Sequence, residues 1–387
     1  MLDKPDKLPK NPNFSCGPCA KRPGWNMKNI KDNALLGRSH RSSECKKQLG
    51  ILIELFKENL EIPKDYVIAI LPGSNTGAFE TALWSMLGAL PVDALTWESF
   101  GSGWVYDIKS ELSLSDVRIL KAKYGEIPDL SRVREGSDIC FTWNGTTSGV
   151  KVPNADWITY HRPGITLCDA TSAVFSQEIA WDKLDVITFS WQKAMGGEGG
   201  HGVLILSPKA ITRLETFSPD RPIPKVFRLA SNNLVNTGLF EGLTINTPSM
   251  LCVADALDSL LWIKKIGGWK ATHKRAQNNF GVLSNWYKKR EWIRNLVKTE
   301  NIQSNTSVCL EINDKKFSAF DDIKKWKFIN EMTCLLEEQG AAFDIKGHRD
   351  GPPVLRIWCG PTVEAEDLKC LMPWLDWAFH FVKQKYF

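Results

Sequence analysis

Apolar residues in this chain gather into short, nearly continuous runs between residues 67 and 206. Val67–Leu71, Asp138–Thr142, Ile165–Cys168, Val186–Phe189 and Val203–Leu206 are too short for helices and too uniformly apolar for strands with one wet face. Runs of that kind predict strands buried on both sides. Between and before them, residues 45–60 and 78–90 carry apolar positions at helical spacing. The alternation predicts an α/β domain with a mostly parallel sheet flanked by helices.

Beyond about residue 262 the texture changes. Gly267-Gly268 interrupts a helical pattern, and residues 269–297 then read as a long helical region. Strand candidates follow at Val308–Ile312, Ala342–Ile345 and Val354–Trp358, interleaved with helical patterns near 321–338 and 364–384. The expected organisation is an extended polar arm over residues 1–14, a large domain over 15–262 and a smaller α+β domain over 263–387. A chain of 387 residues is better served by two cores than by one.

Charge adds exclusions. Lysine and arginine number 49 against 44 acidic residues, and they are scattered, so no basic stripe suited to nucleic acid is present. No apolar stretch is long enough to span a membrane, and the proline-punctuated start has no apolar core of a secretory leader. The ten cysteines lack paired spacing, which fits reduced thiols and a cytoplasmic setting. No metal site is expected.

Two strand ends deliver chemistry. The run ending at Lys193 brings one amine to glycine-rich backbone (Gly196–Gly202), and the run ending at Asp169 brings one carboxylate. A lysine that forms an imine and an aspartate that keeps a pyridine nitrogen protonated are what pyridoxal phosphate asks of a protein. Pro72-Gly-Ser-Asn-Thr-Gly77 lies between a strand and a helix, so it is either a phosphate cradle or an ordinary turn. Asn144-Gly-Thr-Thr-Ser-Gly149 poses the same choice, with Thr146 as a possible ligand of the ring oxygen. His40-Arg41 and His348-Arg349, with Arg356 beyond, suit a phosphate and a carboxylate if they converge.

Two other motifs lack the context their chemistry requires. Cys16-Gly-Pro-Cys19 spells a redox pair, but Pro23 and Gly24 would stop the helix it needs, so it reads as a turn. Gly197-x-Gly-x-x-Gly202 spells a dinucleotide fingerprint but runs into Val203–Leu206, a strand, where a helix should begin.

In order along the chain, Asn13-Phe-Ser-Cys-Gly-Pro18, Ser39-His-Arg41, the 73–77 loop, Asn144-Gly-Thr146, Asp169, Ser190-Trp-Gln-Lys193, Asn246-Thr-Pro248, His348-Arg349 and Arg356 resemble the phosphoserine aminotransferase family. These are class V members of the fold-type I pyridoxal phosphate enzymes. The resemblance covers almost the whole chain. It implies an α/β fold with a seven-stranded-type sheet and a smaller C-terminal domain, assembled as a homodimer.

By the same resemblance, Lys193 would bind the cofactor covalently and shuttle the proton, and Asp169 would pair with the ring nitrogen. Trp104 would stack on the ring, and Thr146 would touch its oxygen. Ser74, Asn75 and Gln192 would hold the cofactor phosphate, with Asn246 and Thr247 reaching in from the other subunit. His40, Arg41, His348 and Arg349 would bind the substrate phosphate, and Arg356 the α-carboxylate. L-Glutamate would be the donor and 3-phosphohydroxypyruvate the acceptor, in serine biosynthesis. A phosphorylated threonine analogue from pyridoxine biosynthesis is a further candidate substrate.

The chain departs from the family in two places. Many bacterial members carry an arginine where this chain has Ser74-Asn75-Thr76, and the spacing around Trp104 is uncommon. The nearest rival reading is a class V enzyme acting on an unphosphorylated 2-oxo acid, of the serine–pyruvate or alanine–glyoxylate type. A cysteine desulfurase is disfavoured because Cys359 and Cys370 fall in strand-like and helical contexts.

Overall fold

The computed structural model describes residues 2–386; Met1 and Phe387, the ends of the expected arm and small domain, lie outside the described residues. A seven-stranded sheet forms the centre, with β1 (Val67–Pro72), β2 (Val92–Thr96), β3 (Val117–Lys121), β4 (Asp138–Thr142), β5 (Thr166–Asp169), β6 (Val186–Ser190) and β7 (His201–Leu206). Their spatial order is β1-β7-β6-β5-β4-β2-β3. All run parallel except β7, which pairs antiparallel with both β1 and β6. Because one strand is reversed, the C-terminal ends of β1, β4, β5 and β6 and the start of β7 share one edge. Open α/β sheets place ligands at that edge.

Four of the five expected large-domain runs that face both layers, β4 to β7, are buried at every position. One face of the sheet packs on α1 (Ser43–Leu60) and the other on α2 (Ser74–Met86). The second helix begins at residue 74 and ends at 86, earlier at both ends than the 78–90 pattern.

Strands β2 and β3 were not anticipated. Asp93 interrupts the apolar pattern of β2, yet its side chain is fully buried because Arg118 (2.6 Å) and Arg134 (2.8 Å) neutralise it. Burial pushes this carboxyl up, but the two arginines outweigh it and hold it below the ordinary aspartate range. Edge strand β3 is only partly buried, with Lys121 exposed and Arg118 half-buried, so it makes no continuous apolar run.

The C-terminal part holds an antiparallel three-stranded sheet, β8 (Ile293–Asn295), β9 (Ser307–Ile312) and β10 (Leu355–Trp358). The expected 269–297 helix is shorter: α3 (Gly268–Tyr287) stops where Lys288, Lys289 and Arg290 reach solvent, and the chain returns as β8. Ala342–Ile345 is not a strand. Asp344 takes a left-handed φ of 58°, leaving only single bridges at Phe343 and Lys346.

The N-terminal arm is tied to this part of the molecule. Phe14 is fully buried, its carbonyl accepts from Trp358 N at 3.0 Å, and Trp374 Nε1 donates to Lys7 O at 2.9 Å. Trp374 belongs to the long last helix, Ala365–Tyr386. Among the described residues, no helix is long and apolar enough to cross a membrane.

Candidate active site

A cavity of about 310 Å³ opens at the functional edge of the sheet. Its walls include Ser74, Asn75 and Thr76 after β1, Thr142, Asn144 and Thr146 after β4, Asp169 and Thr171 at β5, and Gln192 and Lys193 after β6. Gly17 and Pro18 close one side.

Lys193 is nearly enclosed, and its Nζ donates to the Cys16 carbonyl. Gly17 suits this place: its φ of 148° is one that residues with a side chain rarely adopt, and a Cβ would displace Lys193 Nζ. Burial lowers the lysine pKa from its usual value, and Arg356 lowers it further. The Cys16 and Cys19 thiols and Asp169 oppose that shift. A lowered pKa makes the free amine, the nucleophilic form, more available.

Asp169 ends β5. Its Oδ1 accepts from Thr171 N at 3.0 Å and its Oδ2 from Trp104 Nε1 at 3.1 Å. Burial raises its pKa, while these donors and the Lys193 charge favour the carboxylate. With one protein hydrogen bond to each oxygen, the carboxylate can still accept a further donor.

Helix α2 opens without a side-chain cap, whereas Ser42, Ser207, Ser249 and Asp321 cap the helices that follow them. Gly73 and Ser74 there both have positive φ, 84° and 53°. The first N–H groups of α2 are thus directed to the cavity edge with no internal partner, an arrangement suited to an anion. Inside the site Asn75 Oδ1, Thr171 Oγ1, Gln192 Oε1 and, nearby, Arg356 Nε are buried without a hydrogen-bond partner. Buried polar atoms are rarely left so. A phosphorylated, hydroxylated pyridine aldehyde fits here: an anion at the α2 N–H groups, a ring nitrogen at Asp169 and a carbonyl at Lys193, with the Asn75 and Gln192 amides turned to present N–H to the anion.

A family model described as class-V aminotransferase matches residues 131–348. The phosphoserine aminotransferases of Methanosarcina barkeri and Methanosarcina mazei are each 50% identical to this chain over 98% of it and 100% of their own length. The chain belongs to the phosphoserine aminotransferase family. It is an aminotransferase with the fold of the pyridoxal phosphate-dependent class V enzymes. Among solved structures, a phosphoserine aminotransferase from Cytophaga hutchinsonii superposes with a TM-score of 0.77 at 19% identity, covering 95% of this chain and 99% of that one. An alanine–glyoxylate aminotransferase from Nostoc gives the same TM-score at 16% identity, covering 98% and 97%. The fold alone therefore does not choose a substrate; the full-length likeness to the Methanosarcina proteins carries more.

The expected substrate residues of this aminotransferase, and the cofactor-phosphate residues Asn246 and Thr247 expected from the other subunit, are dispersed. His348 lies beside the site: its Nδ1 is 3.4 Å from Ser99 Oγ and its ring centroid is 5.7 Å from that of Phe100. Burial lowers the His348 pKa, and Arg356 lowers it further. Arg356 sits in β10, close enough for its charge to act on Lys193. Arg349, by contrast, has a side chain that is 88% exposed and pairs with Asp350. His40, Arg41, Asn246 and Thr247 line no part of the cavity, and three of these four are exposed.

Trp104 lines the cavity, where the ring-stacking role was expected, and makes a further contact that was not foreseen. It is nearly buried, its ring lies 4.7 Å from that of Phe79, and its N–H is engaged by Asp169. Sequence reasoning also missed Glu98, Phe100, Thr171 and Ser172. Glu98 is buried in the wall, accepting from Gly101 N (2.6 Å) and Thr147 Oγ1 (2.8 Å), and burial pushes its pKa up to about 7. Recognising β2 as a strand would have flagged 97–100 as another functional strand end. The Cys16–Cys19 motif is a turn, as expected, but one that supports the lysine.

Proposed function

We propose that this enzyme transfers the amino group of L-glutamate to 3-phosphohydroxypyruvate, giving 2-oxoglutarate and O-phospho-L-serine, as a cytoplasmic homodimer using pyridoxal phosphate. The observation that carries the reading is the full-length, 50% identity to phosphoserine aminotransferases joined to a cavity that sets Lys193 against Asp169. The division into a 1–14 arm, a 15–262 large domain and a 263–387 small domain belongs to the same proposal.

When bound, the cofactor supplies an electron sink that lets the substrate Cα lose its proton. The protein's tasks follow. Lys193 holds the cofactor, then takes the proton from Cα as a free amine, which its burial favours. Asp169 keeps the ring nitrogen protonated. The α2 N-terminus with Ser74, Asn75 and Gln192 holds the cofactor phosphate without the arginine common in bacterial relatives. Thr146, whose Oγ1 lies 2.9 Å from Ser172 Oγ, fixes the ring oxygen. Arg356 takes the substrate α-carboxylate, and His348 with Arg349 takes its phosphate. His40, Arg41, Asn246 and Thr247 complete the site across the subunit interface, since their own chain does not bring them to its cavity.

The test is a pair of half-reactions on the pyridoxal phosphate-loaded protein, followed by absorbance. Glutamate is expected to bleach the visible band and 3-phosphohydroxypyruvate to restore it, with pyruvate and glyoxylate failing to do so. Equal restoration by pyruvate or glyoxylate would move the reading to an alanine–glyoxylate type of enzyme. A phosphorylated 3-hydroxy-4-oxo acid from the pyridoxine route makes a further arm of the same assay.

A further inference from the structure

Phe100 and Trp104 are four residues apart on one helix, Ser99–Tyr106, so they share a face, one turn above the other. The outer ring, Phe100, lines the cavity and is 44% exposed. The inner ring, Trp104, also lines the cavity but is nearly buried against Phe79. An indole has a single N–H donor, and this one is committed to Asp169 Oδ2 at 3.1 Å.

We infer that Trp104 is a positioning residue that orients the Asp169 carboxylate and keeps it ionised, and that Phe100 supplies the aromatic face over the ring. This rests on the pyridoxal phosphate reading of the site and deepens it. An N–H directed at a buried carboxylate stabilises the charged form, and it also restricts rotation of the side chain. Together with Thr171 N on the other oxygen, it leaves the carboxylate poised toward the cavity. The division of labour explains why the spacing around Trp104 is unusual for a stacking residue: the stacking position is one helical turn earlier.

Other charged or titratable groups act on Asp169 as well. Lys193 favours its ionisation, Glu98 is within electrostatic reach, and the Cys140 and Cys168 thiols lie close by. None of them donates a hydrogen bond to it, so removal of the indole N–H has a signature of its own.

The experiment titrates apoprotein with pyridoxal phosphate across pH 5–9, for wild type, Trp104→Phe and Phe100→Leu. Trp104→Phe keeps a ring face and loses the donor. Its dissociation constant should rise about tenfold, a conservative value for a lost hydrogen bond to a charged group. The acidic limb of its binding profile should also move to higher pH, because Asp169 then needs a higher pH to ionise. Phe100→Leu should weaken binding with the limb unmoved. Incorporating 3-benzothienylalanine at position 104 exchanges the N–H for sulfur with little change of shape, so it repeats the test if Trp104→Phe fails to fold. Wild-type affinity and limb position after loss of the N–H would overturn the inference. So would equal weakening by both substitutions with neither limb moving, since Trp104 would then act as a second ring face. Absence of pyridoxal phosphate binding by the wild type would instead remove the parent reading, and this one with it.

Discussion

The residues proposed to hold the cofactor and the outer residues proposed to hold the substrate phosphate are placed in opposite ways. Lys193, Asp169, Asn75 and Thr146 stand at strand ends or on the turns that follow, are almost fully buried, and converge on one cavity within one chain. Arg349 and Arg41 are exposed, and they line no part of that cavity. Strand ends fixed by a hydrogen-bonded ladder hold atoms to sub-ångström tolerance, which proton transfer at a defined carbon demands. A phosphate dianion is recognised by charge and by forked donors, and loops that close or a second copy of the chain can supply those. On the proposed reading, one chain supplies the lysine and the carboxylate, and part of the phosphate recognition is left to assembly.

Replacing the lysine tests the first side most severely. Lys193→Ala is expected to abolish covalent attachment of pyridoxal phosphate and the visible band that goes with it, and to cut turnover by about 10³-fold or more. Retention of half-reaction rates in that variant would break the account of the cavity as a complete chemical unit. Asp169→Asn comes next. An amide cannot hold a pyridinium by charge, so turnover should fall by about 10²–10³-fold while cofactor attachment persists, as read by absorbance and single-turnover kinetics.

The second side is tested by complementation. Arg41→Ala should raise KM for 3-phosphohydroxypyruvate by about tenfold or more with little change toward an unphosphorylated oxo acid. Assayed at subsaturating acceptor, dimers re-formed from a mixture of Lys193→Ala and Arg41→Ala chains should recover about a quarter of wild-type activity. Half of the dimers are then mixed, and each has one intact site if Arg41 acts across the interface. No recovery would place Arg41 on its own chain's site and erase the contrast between the two halves.

The same division governs what could be read from sequence. Lys193 and Asp169 were visible because each closes a buried apolar run, and burial on both faces writes itself into composition. Strand β2 was hidden because Asp93 breaks the run. Its neutralising partners, Arg118 and Arg134, are 25 and 41 residues away, so no local pattern reveals them. With β2 went its C-terminal end, and with that Glu98 and Phe100. Trp104 was expected beside the ring and does line the cavity; its hydrogen bond to Asp169 went unforeseen, because sequence spacing does not say which edge of an indole faces a carboxylate. That His40 and Arg41 stay away from the cavity could not be read from the pattern, since periodicity does not say which loops meet; a position outside one chain's cavity was expected for Asn246 and Thr247, but only from the family resemblance.

Glu98 sits where the two halves meet, and it gives the smallest and most specific effect. Its carboxylate accepts from Thr147 Oγ1, which in turn accepts from Ser99 Oγ at 2.9 Å, and Ser99 Oγ lies 3.4 Å from His348 Nδ1. A buried acid thus connects the cofactor wall to the substrate loop. Burial raises its pKa to about 7, against Gly101 N and Thr147, which favour the ion; Asp169 opposes ionisation from across the cavity. The sign follows from linkage. The protonated acid is favoured in the fold, so the stabilisation is complete below the ordinary glutamate pKa and is lost as pH rises through about 7. The loss is of the order of 3 kcal/mol at most. Glu98→Gln cannot ionise and keeps both a donor and an acceptor, so the melting temperature of its apoprotein should fall less between pH 5 and pH 8 than that of the wild type. Parallel melting curves across that range would mean that Glu98 stays ionised in the fold and is held by its donors alone. The link from Thr147 to His348 would then be fixed at every working pH, and the two halves would be coupled by geometry without a titrating group between them.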